Sequence, residues 1–447
     1  MFFPEESQVR PYRLLCLLSA LLICVSGCMG LPGRTPPMTK EVRQKYIESF
    51  DIMTKKIEDS FWDPELLESR WDGLKEECRE KVVAAEGIDE ARAAMRQLLS
   101  ALKLSHFGLM SATASEEFRR GRQPGEAGMI LRTSDDDQVI VVRVEPNGPA
   151  DIAGIQPGDE ILQAKDRELA SLIKEWKITG NRYLVVQGLR SICSGKAGAT
   201  REVLVLGESG ERKVTIILEA ADKDIPRVGV GNISPIPLRM EKKILEDNIL
   251  YLRWNMFLGP GLVMPWIEES LSEHSEAKGL VIDLRGNPGG IGIMACGISG
   301  WLIPEQGFQL GKMIMRDSEL NFTVNPRMGG WVKPVAMLID EGSGSTSEIM
   351  AQGLRDAGRV RLFGRTTAGA ALPSLIIELP SGDMLQYAIS DYISASGHRM
   401  EGVGVQPDER IPVDSALIRK YGDPVLQRPR NWLGGKPGGP DSPQGRG

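Results

Sequence analysis

The chain has 447 residues, enough for two or three domains with cores of their own. With 41% hydrophobic and 26% charged residues it has the composition of a globular protein, and a formal charge of −6 supplies no basic field for nucleic acid. No nucleic-acid motif is present either, which excludes that class of partner.

At the N-terminus, Arg10 and Arg13 precede a largely apolar run at 14–25, followed by Ser26, Gly27 and Cys28. The run is too short to span a bilayer comfortably and suits the apolar region of a signal peptide. The small residues before Cys28 resemble a bacterial lipobox. That resemblance implies removal of the leader, a lipid on Cys28, and a protein anchored in the cell envelope facing the periplasm or exterior. An ordinary signal peptide or an uncleaved anchor is the alternative. Cys16 and Cys24 would leave with residues 1–28. Cys78, Cys193 and Cys296 then remain, an odd number without C-x-x-C spacing, so the expectation is buried thiols and no metal site.

Residues 29–39 are rich in Pro and Gly and read as a tether. From 40 to 104, Ile47, Phe50, Ile57, Phe61, Trp71, Leu74, Met95, Leu98 and Leu102 recur among charges at helical spacing. Residues 29–120 are therefore expected to be a tether and a helical domain. Between 121 and 222 the pattern changes to short β-like runs at 129–131, 139–142, 203–205 and 214–218. Within it, GPADIAGIQPGDEIL at 148–162 closely resembles a bacterial PDZ domain, with 163–190 as an insertion. The resemblance implies a site that takes an extended chain end by strand addition at Gly128, Met129 and Ile130. A β-domain with a merely structural role is the alternative. From 223 to 415, strands at 249–253, 279–284, 334–340 and 360–363 alternate with helices near 262–274 and 347–357, predicting an α/β domain with a largely parallel sheet. Residues 416–447 are expected to be a disordered tail.

The segment 342–349, GSGSTSEI, lies where a strand meets a helix. Ser345 with Glu348 fits a capping box, an ordinary helix start. The same turn would lift a serine hydroxyl clear of the sheet and aim the Thr346 N–H at the space of an oxyanion. Upstream, DLRGNPGG at 283–290 closes another buried strand. Together with the PDZ-like segment and EGVGVQPD at 401–408, these motifs resemble the C-terminal-processing peptidase and tricorn-core family of serine peptidases. The resemblance implies a multidomain α/β chain whose core is of the ClpP/crotonase-like type. It implies Ser345 as nucleophile, with Gly289 or its neighbour giving the second oxyanion amide beside Thr346.

One branch of that family places a lysine base where this chain has Ala370, within Thr367–Ala370. A serine hydroxyl needs a base. The tricorn branch implies one here: His106 as base, Ser105 as its companion and Glu401 as carboxylate. Imidazole titrates near pH 6.5, so a rise of kcat/KM at roughly pH 6–7 would be its mark. His398 is a rival base. His274 stands in a charged stretch and reads as solvated, and Arg355 and Asp356 read as a helix face. The expected function is an envelope serine endopeptidase acting on protein or peptide substrates without a cofactor. The loss of the lysine keeps open a catalytically inactive peptide- or ligand-binding protein, or a scaffold in which the PDZ-like part alone matters.

Overall fold

The computed structural model describes residues 19–20, 38–71, 73–111, 124–178, 182–229 and 235–435. Cys28 and residues 436–447 lie outside them, as does most of the expected leader. No helix among the described residues is long and apolar enough to cross a membrane.

Lys40–Ser60, Pro64–Trp71, Leu74–Ala84 and Ile88–Ala101 are the helices expected between 40 and 104. Thr39 caps the first, its hydroxyl accepting the Val42 N–H at 3.3 Å. Phe50, Met53, Ile57, Val82, Met95 and Leu98 are fully buried between them. Each such side chain contributes roughly 1.5–3 kcal/mol. The helices share this core with Leu379, Leu385 and Tyr387 from the hairpin Ser374–Glu378/Met384–Ala388. Gly108–Met110, immediately after His106, adds to that hairpin as an antiparallel strand, Gly108 opposite Gln386. The hairpin and this pairing were not legible as periodicity. They deliver residues 105 and 106 into the C-terminal domain.

The PDZ-like part is a sheet in the order Gly210–Ile217, Thr200–Gly207, Glu160–Ala164, Val139–Val144, Met129–Thr133. The stretch read as an insertion forms helices Leu169–Lys177 and Arg182–Ile192, and the second packs on the edge strand Met129–Thr133.

Among the described residues, the third part is built on a six-stranded sheet, in the order Met240–Leu245, Ile249–Trp254, Gly279–Asp283, Val335–Ile339, Arg361–Gly364, Glu409–Arg410. All neighbours are parallel except the first pair. Side chains alternate between faces, and both faces are apolar. Leu250, Leu252, Ile282, Met337 and Ile339 face a core shared with helices Pro260–Glu273, Ile293–Ser299 and Thr346–Asp356. Ile249, Tyr251, Val281, Ala336, Leu338 and Phe363 form the other face.

That second face overturns the expected disorder for residues 416–435. Ser415–Tyr421 and Pro424–Leu433 are helices, and Val425, Leu426 and Leu433 pack against it. An uncovered face carrying five large apolar side chains would cost far more than ordering two short helices. The helix starts were present in the sequence. Asp414 and Asp423 accept the Leu417 and Leu426 N–H groups, and Pro424 stands in the first turn.

A buried fork holds the helical segment to the hairpin: Arg92 Nε and Nη2 donate to Asp383 Oδ2 and Oδ1 at 3.0 and 2.8 Å. Asp383 is fully buried. Arg92→Met keeps the aliphatic bulk but takes the counter-ion from that carboxylate. It should cost roughly 3–5 kcal/mol in denaturant unfolding, and a loss below about 0.5 kcal/mol would show that the fork carries no such weight.

Candidate active site

Strands Gly279–Asp283 and Val335–Ile339 are adjacent and parallel, so the turns at their C-terminal ends emerge side by side. GSGSTSEI is stitched to DLRGNPGG by its small polar groups. Ser343 Oγ donates to the Leu284 carbonyl (2.8 Å), Thr346 Oγ1 to the Gly290 carbonyl (2.9 Å), and Ser347 Oγ to the Asn287 carbonyl (2.9 Å). The Gly344 N–H also donates to Asn287 O at 3.0 Å. Two of the three serines are therefore fasteners. Ser345 is the one held in a strained backbone conformation, φ 53° and ψ −116°, at the start of helix Thr346–Asp356.

Glu348 completes the capping box, accepting the Ser345 N–H at 3.0 Å, and does more. Its fully buried carboxylate also accepts the Gly369 N–H (2.8 Å), the Ala370 N–H (2.9 Å) and the Thr367 hydroxyl. Burial raises its pKa, while these donors oppose the rise. The strap 367–371 is thus clamped to the Ser345 turn, and the Ala370 carbonyl accepts the Ser345 N–H in return at 2.8 Å.

The same strap holds the other half of the site. Glu401 Oε2 accepts the Ala371 N–H at 3.2 Å and the Ser105 hydroxyl at 2.8 Å, and Oε1 accepts the Ser105 N–H at 2.6 Å. Ser105 Oγ stands 2.7 Å from His106 Nδ1. Ser105 spends its proton on Glu401, so the ring proton must lie on Nδ1 and Nε2 must carry the lone pair. Nε2 is buried and has no hydrogen-bond partner among the described residues. Burial pushes the His106 pKa down to about 3, so the ring is neutral. Burial pushes Glu401 up to about 7, although the residue as a whole is partly exposed at its turn.

Ala370 is enclosed by Ala368 and by Tyr183 from the PDZ-side helix Arg182–Ile192. The position where one branch of the family carries a lysine is here a small apolar contact.

Thr346 opens its helix, so its N–H has no acceptor within it. Gly289 lies over that N–H: a Cβ there would come within 2.8 Å of Thr346 N and of Ser345 Cβ. The Gly289 N–H itself is engaged, donating to Asn287 Oδ1 at 2.9 Å. Gly289 is therefore the clearance of the turn, and the expectation of an amide donor passes to its neighbour Gly290. Gly290 and Ile291 pair in parallel with Phe257 on one side, and on the other the backbone of Ser19–Ala20 runs antiparallel to them. This edge accepts an extended chain.

His398 is exposed, with Nδ1 2.7 Å from Ser396 Oγ on its own hairpin turn, and takes no part. His274 ends its helix beside Glu273, and Asp356 and Arg355 bond to Gln352 on their helix face, as expected. Cys78, Cys193 and Cys296 are free, and burial pushes the last two up to about 12. Gly128, at φ 68°, precedes the PDZ edge strand that holds Met129 and Ile130. That strand also reaches the site, since Arg132 grips Asp340 with Nε and Nη2, both at 2.7 Å. Arg190 donates to the Gly286 carbonyl, and Arg182 to the Thr367 and Val403 carbonyls. Sequence reading missed these arginines, Tyr183 and Asn287. Glu348 alone had a local signal, as the glutamate of a capping box.

Comparison with known proteins bears on the fold and the class of the chain. The sequence model of peptidase family S41 matches residues 248–411, and that of the PDZ domain matches 117–182. Carboxyl-terminal-processing peptidase 3, chloroplastic, of Arabidopsis thaliana is 25% identical over 377 residues, covering 82% of this chain and 68% of that protein. The fold is shared with two solved structures. Mature CPAF complexed with lactacystin has a TM-score of 0.62 at 14% identity, with 89% of this chain and 100% of that one covered. The photosystem II D1 C-terminal processing protease has a TM-score of 0.56 at 17% identity, with 87% and 97% covered. The chain is a serine peptidase with a PDZ domain. The match to peptidase family S41 spans its segment 248–411.

The relay predicts a pH dependence. With His106 as the proposed base, protonated Glu401 would donate to Ser105, whose proton would turn to Nδ1, leaving the ring proton on Nε2 and no base. Deprotonation restores the base, so kcat/KM should rise with pH through about 7, the value to which burial brings Glu401. The limb falls near the range expected of imidazole but comes from the carboxylate. Glu401→Gln should abolish it and lower the plateau; a limb that survives the substitution belongs to another group.

Proposed function

We propose that this peptidase cleaves protein and peptide chains through a Ser345–His106–Ser105–Glu401 tetrad. The observation that carries the reading is the Glu401–Ser105–His106 hydrogen-bonded chain, which leaves Nε2 as the free basic atom and is fastened to the same strap as the Ser345 turn. In the proposed reaction Ser345 Oγ attacks the peptide carbonyl carbon and its proton passes to His106 Nε2. The imidazolium is stabilised through Ser105 by ionised Glu401. The oxyanion accepts from the Thr346 and Gly290 N–H groups. The C–N bond then breaks, His106 protonates the departing amine, and water releases the acyl group by the reverse sequence.

Two features support a peptide substrate bound as a strand. Gly290–Ile291 offers an edge beside the nucleophile, and Met129–Thr133 is the edge strand of the PDZ sheet, opened by a glycine with positive φ. In this reading residues 127–130 hold the substrate's C-terminal end. In this reading a lipid on Cys28 anchors the enzyme in the cell envelope, and the five parts divide at 28, 120, 222 and 415, with helices Ser415–Tyr421 and Pro424–Leu433 of the last covering the core sheet.

Wild-type protein should react with a fluorophosphonate, whereas Ser345→Ala and His106→Ala should not. Loss of the nucleophile costs on the order of 10⁶ in kcat where it has been measured. A folded His106→Ala that keeps about a tenth of wild-type activity would remove His106 from the mechanism. A folded wild type that takes no label would favour the ligand-binding alternative. For the anchor, Cys28→Ser should release the protein from membranes, because a single apolar chain binds only marginally and the lipids on this residue supply the hold. An unmodified Cys28 in the intact mass of the membrane form would end that claim.

A further inference from the structure

The turn that carries Gly289 and Gly290 is rooted on Arg285, and Arg285 is held from outside the matched peptidase segment. Its guanidinium lies between two carboxylates. Nε and Nη2 donate to Asp283 at 3.0 and 2.7 Å, and Nη1 and Nη2 to Asp423 at 2.9 and 2.7 Å. Asp283 is fully buried and bonded also to the Tyr251 hydroxyl. Asp423 belongs to the C-terminal helical cover, beyond residue 411, and its Oδ1 caps helix Pro424–Leu433 through the Leu426 N–H.

Both residues line a cavity of about 50 Å³ between the PDZ sheet, the core and the C-terminal helices. Its charged walls are balanced, with Arg132, Arg285 and Arg365 against Asp340, Glu341 and Asp423. Arg132 is spent on Asp340, and Arg365 on Glu341 Oε1 at 2.7 Å. Glu341 Oε2 is buried with no hydrogen-bond partner among the described residues. Without the Asp423 charge, Arg285 has an unused acceptor across the cavity. A guanidinium drawn there would pull on the backbone that leads directly into Gly286–Gly290.

We propose that Asp423 is a positioning residue for the reaction, fixing through Arg285 the turn that presents the oxyanion amide, so that docking of the C-terminal helices is a condition of activity. The proposal rests on the mechanism above and gives a role in the chemistry to a segment expected to be disordered.

Asp423→Asn tests it cleanly, because asparagine caps a helix as well as aspartate while removing the charge from the fork. Removing an oxyanion donor outright costs roughly 10²–10³ in kcat, and loosening its turn should cost about tenfold, with KM changed less than about twofold. Affinity for a peptide aldehyde, whose adduct with Ser345 forms the oxyanion, should fall in the same proportion. Binding of an uncleaved peptide to Ser345→Ala/Asp423→Asn should match that to Ser345→Ala. Asp423→Glu, which restores the charge, should recover part of the loss. A wild-type kcat in Asp423→Asn overturns the proposal, as does a loss confined to KM. A wild type that neither cleaves peptide nor takes the fluorophosphonate would overturn the tetrad and this proposal together.

Discussion

The Glu348 carboxylate is the interaction on which the site depends. It is fully buried, and the donors that justify its burial are the amides of Ser345, Gly369 and Ala370 and the Thr367 hydroxyl. A charged or half-charged group in that position is tolerable only if its lone pairs are satisfied. Satisfying them forces two chain segments, 345–348 and 367–370, into one fixed relation. Everything else is added to that relation. The Ala370 carbonyl returns a bond to the Ser345 N–H, and the next amide, Ala371, fixes Glu401. The capping-box reading and the proposed catalytic reading of GSGSTSEI are therefore not rivals, since the cap is the foundation of the Ser345 turn.

A buried histidine makes a poor base in isolation. Moving its pKa from about 6.5 to about 3 corresponds to roughly 5 kcal/mol against the imidazolium. Burial alone would keep His106 neutral and inert. Ser105 and Glu401 change the balance, because a proton gained at Nε2 places positive charge on a ring whose other nitrogen is hydrogen-bonded towards a carboxylate. That compensation exists only while Glu401 is ionised. In the proposed mechanism the relay thus transfers pH sensitivity from the imidazole, whose titration burial removes from the physiological range, to the glutamate, whose titration burial brings into it.

Local pattern was enough to read most of the elements and the motifs. Period-two and period-3.6 spacing marked the strands and helices, and GSGSTSEI, DLRGNPGG, the Ser105–His106 pair and EGVGVQPD were visible as text. What was not legible is what depends on contacts distant in sequence. Ser105 meets Glu401, Arg132 meets Asp340, and Tyr183 covers Ala370, with no local signal for any of these meetings. The Gly289 amide was misread because its donor is taken by a side chain two residues earlier, an Asx-type bond that spacing does not distinguish from a free one. The C-terminal helices were hidden by a Pro- and Gly-rich tail that follows them. Their caps were readable, but the apolar face that needs them lies on strands as far back as Ile249.

The composition of the two catalytic turns follows from their closeness. A Cβ on Gly342 would stand 2.8 Å from Gly286 Cα, and one on Gly289 would meet Ser345 and Thr346. Where the turns touch, only glycine fits. Where they stand slightly further apart, a hydroxyl fills the gap and donates to a carbonyl across it, as Ser343, Thr346 and Ser347 do. A strained residue such as Ser345 costs about 1–3 kcal/mol, and a single hydrogen bond returns roughly 0.5–1.5 kcal/mol. Three hydroxyl bonds, the Glu348 clamp and the Ala370 carbonyl together outweigh the strain. A run of alternating small and hydroxylated residues is thus what a serine held in a disfavoured conformation between two close turns requires.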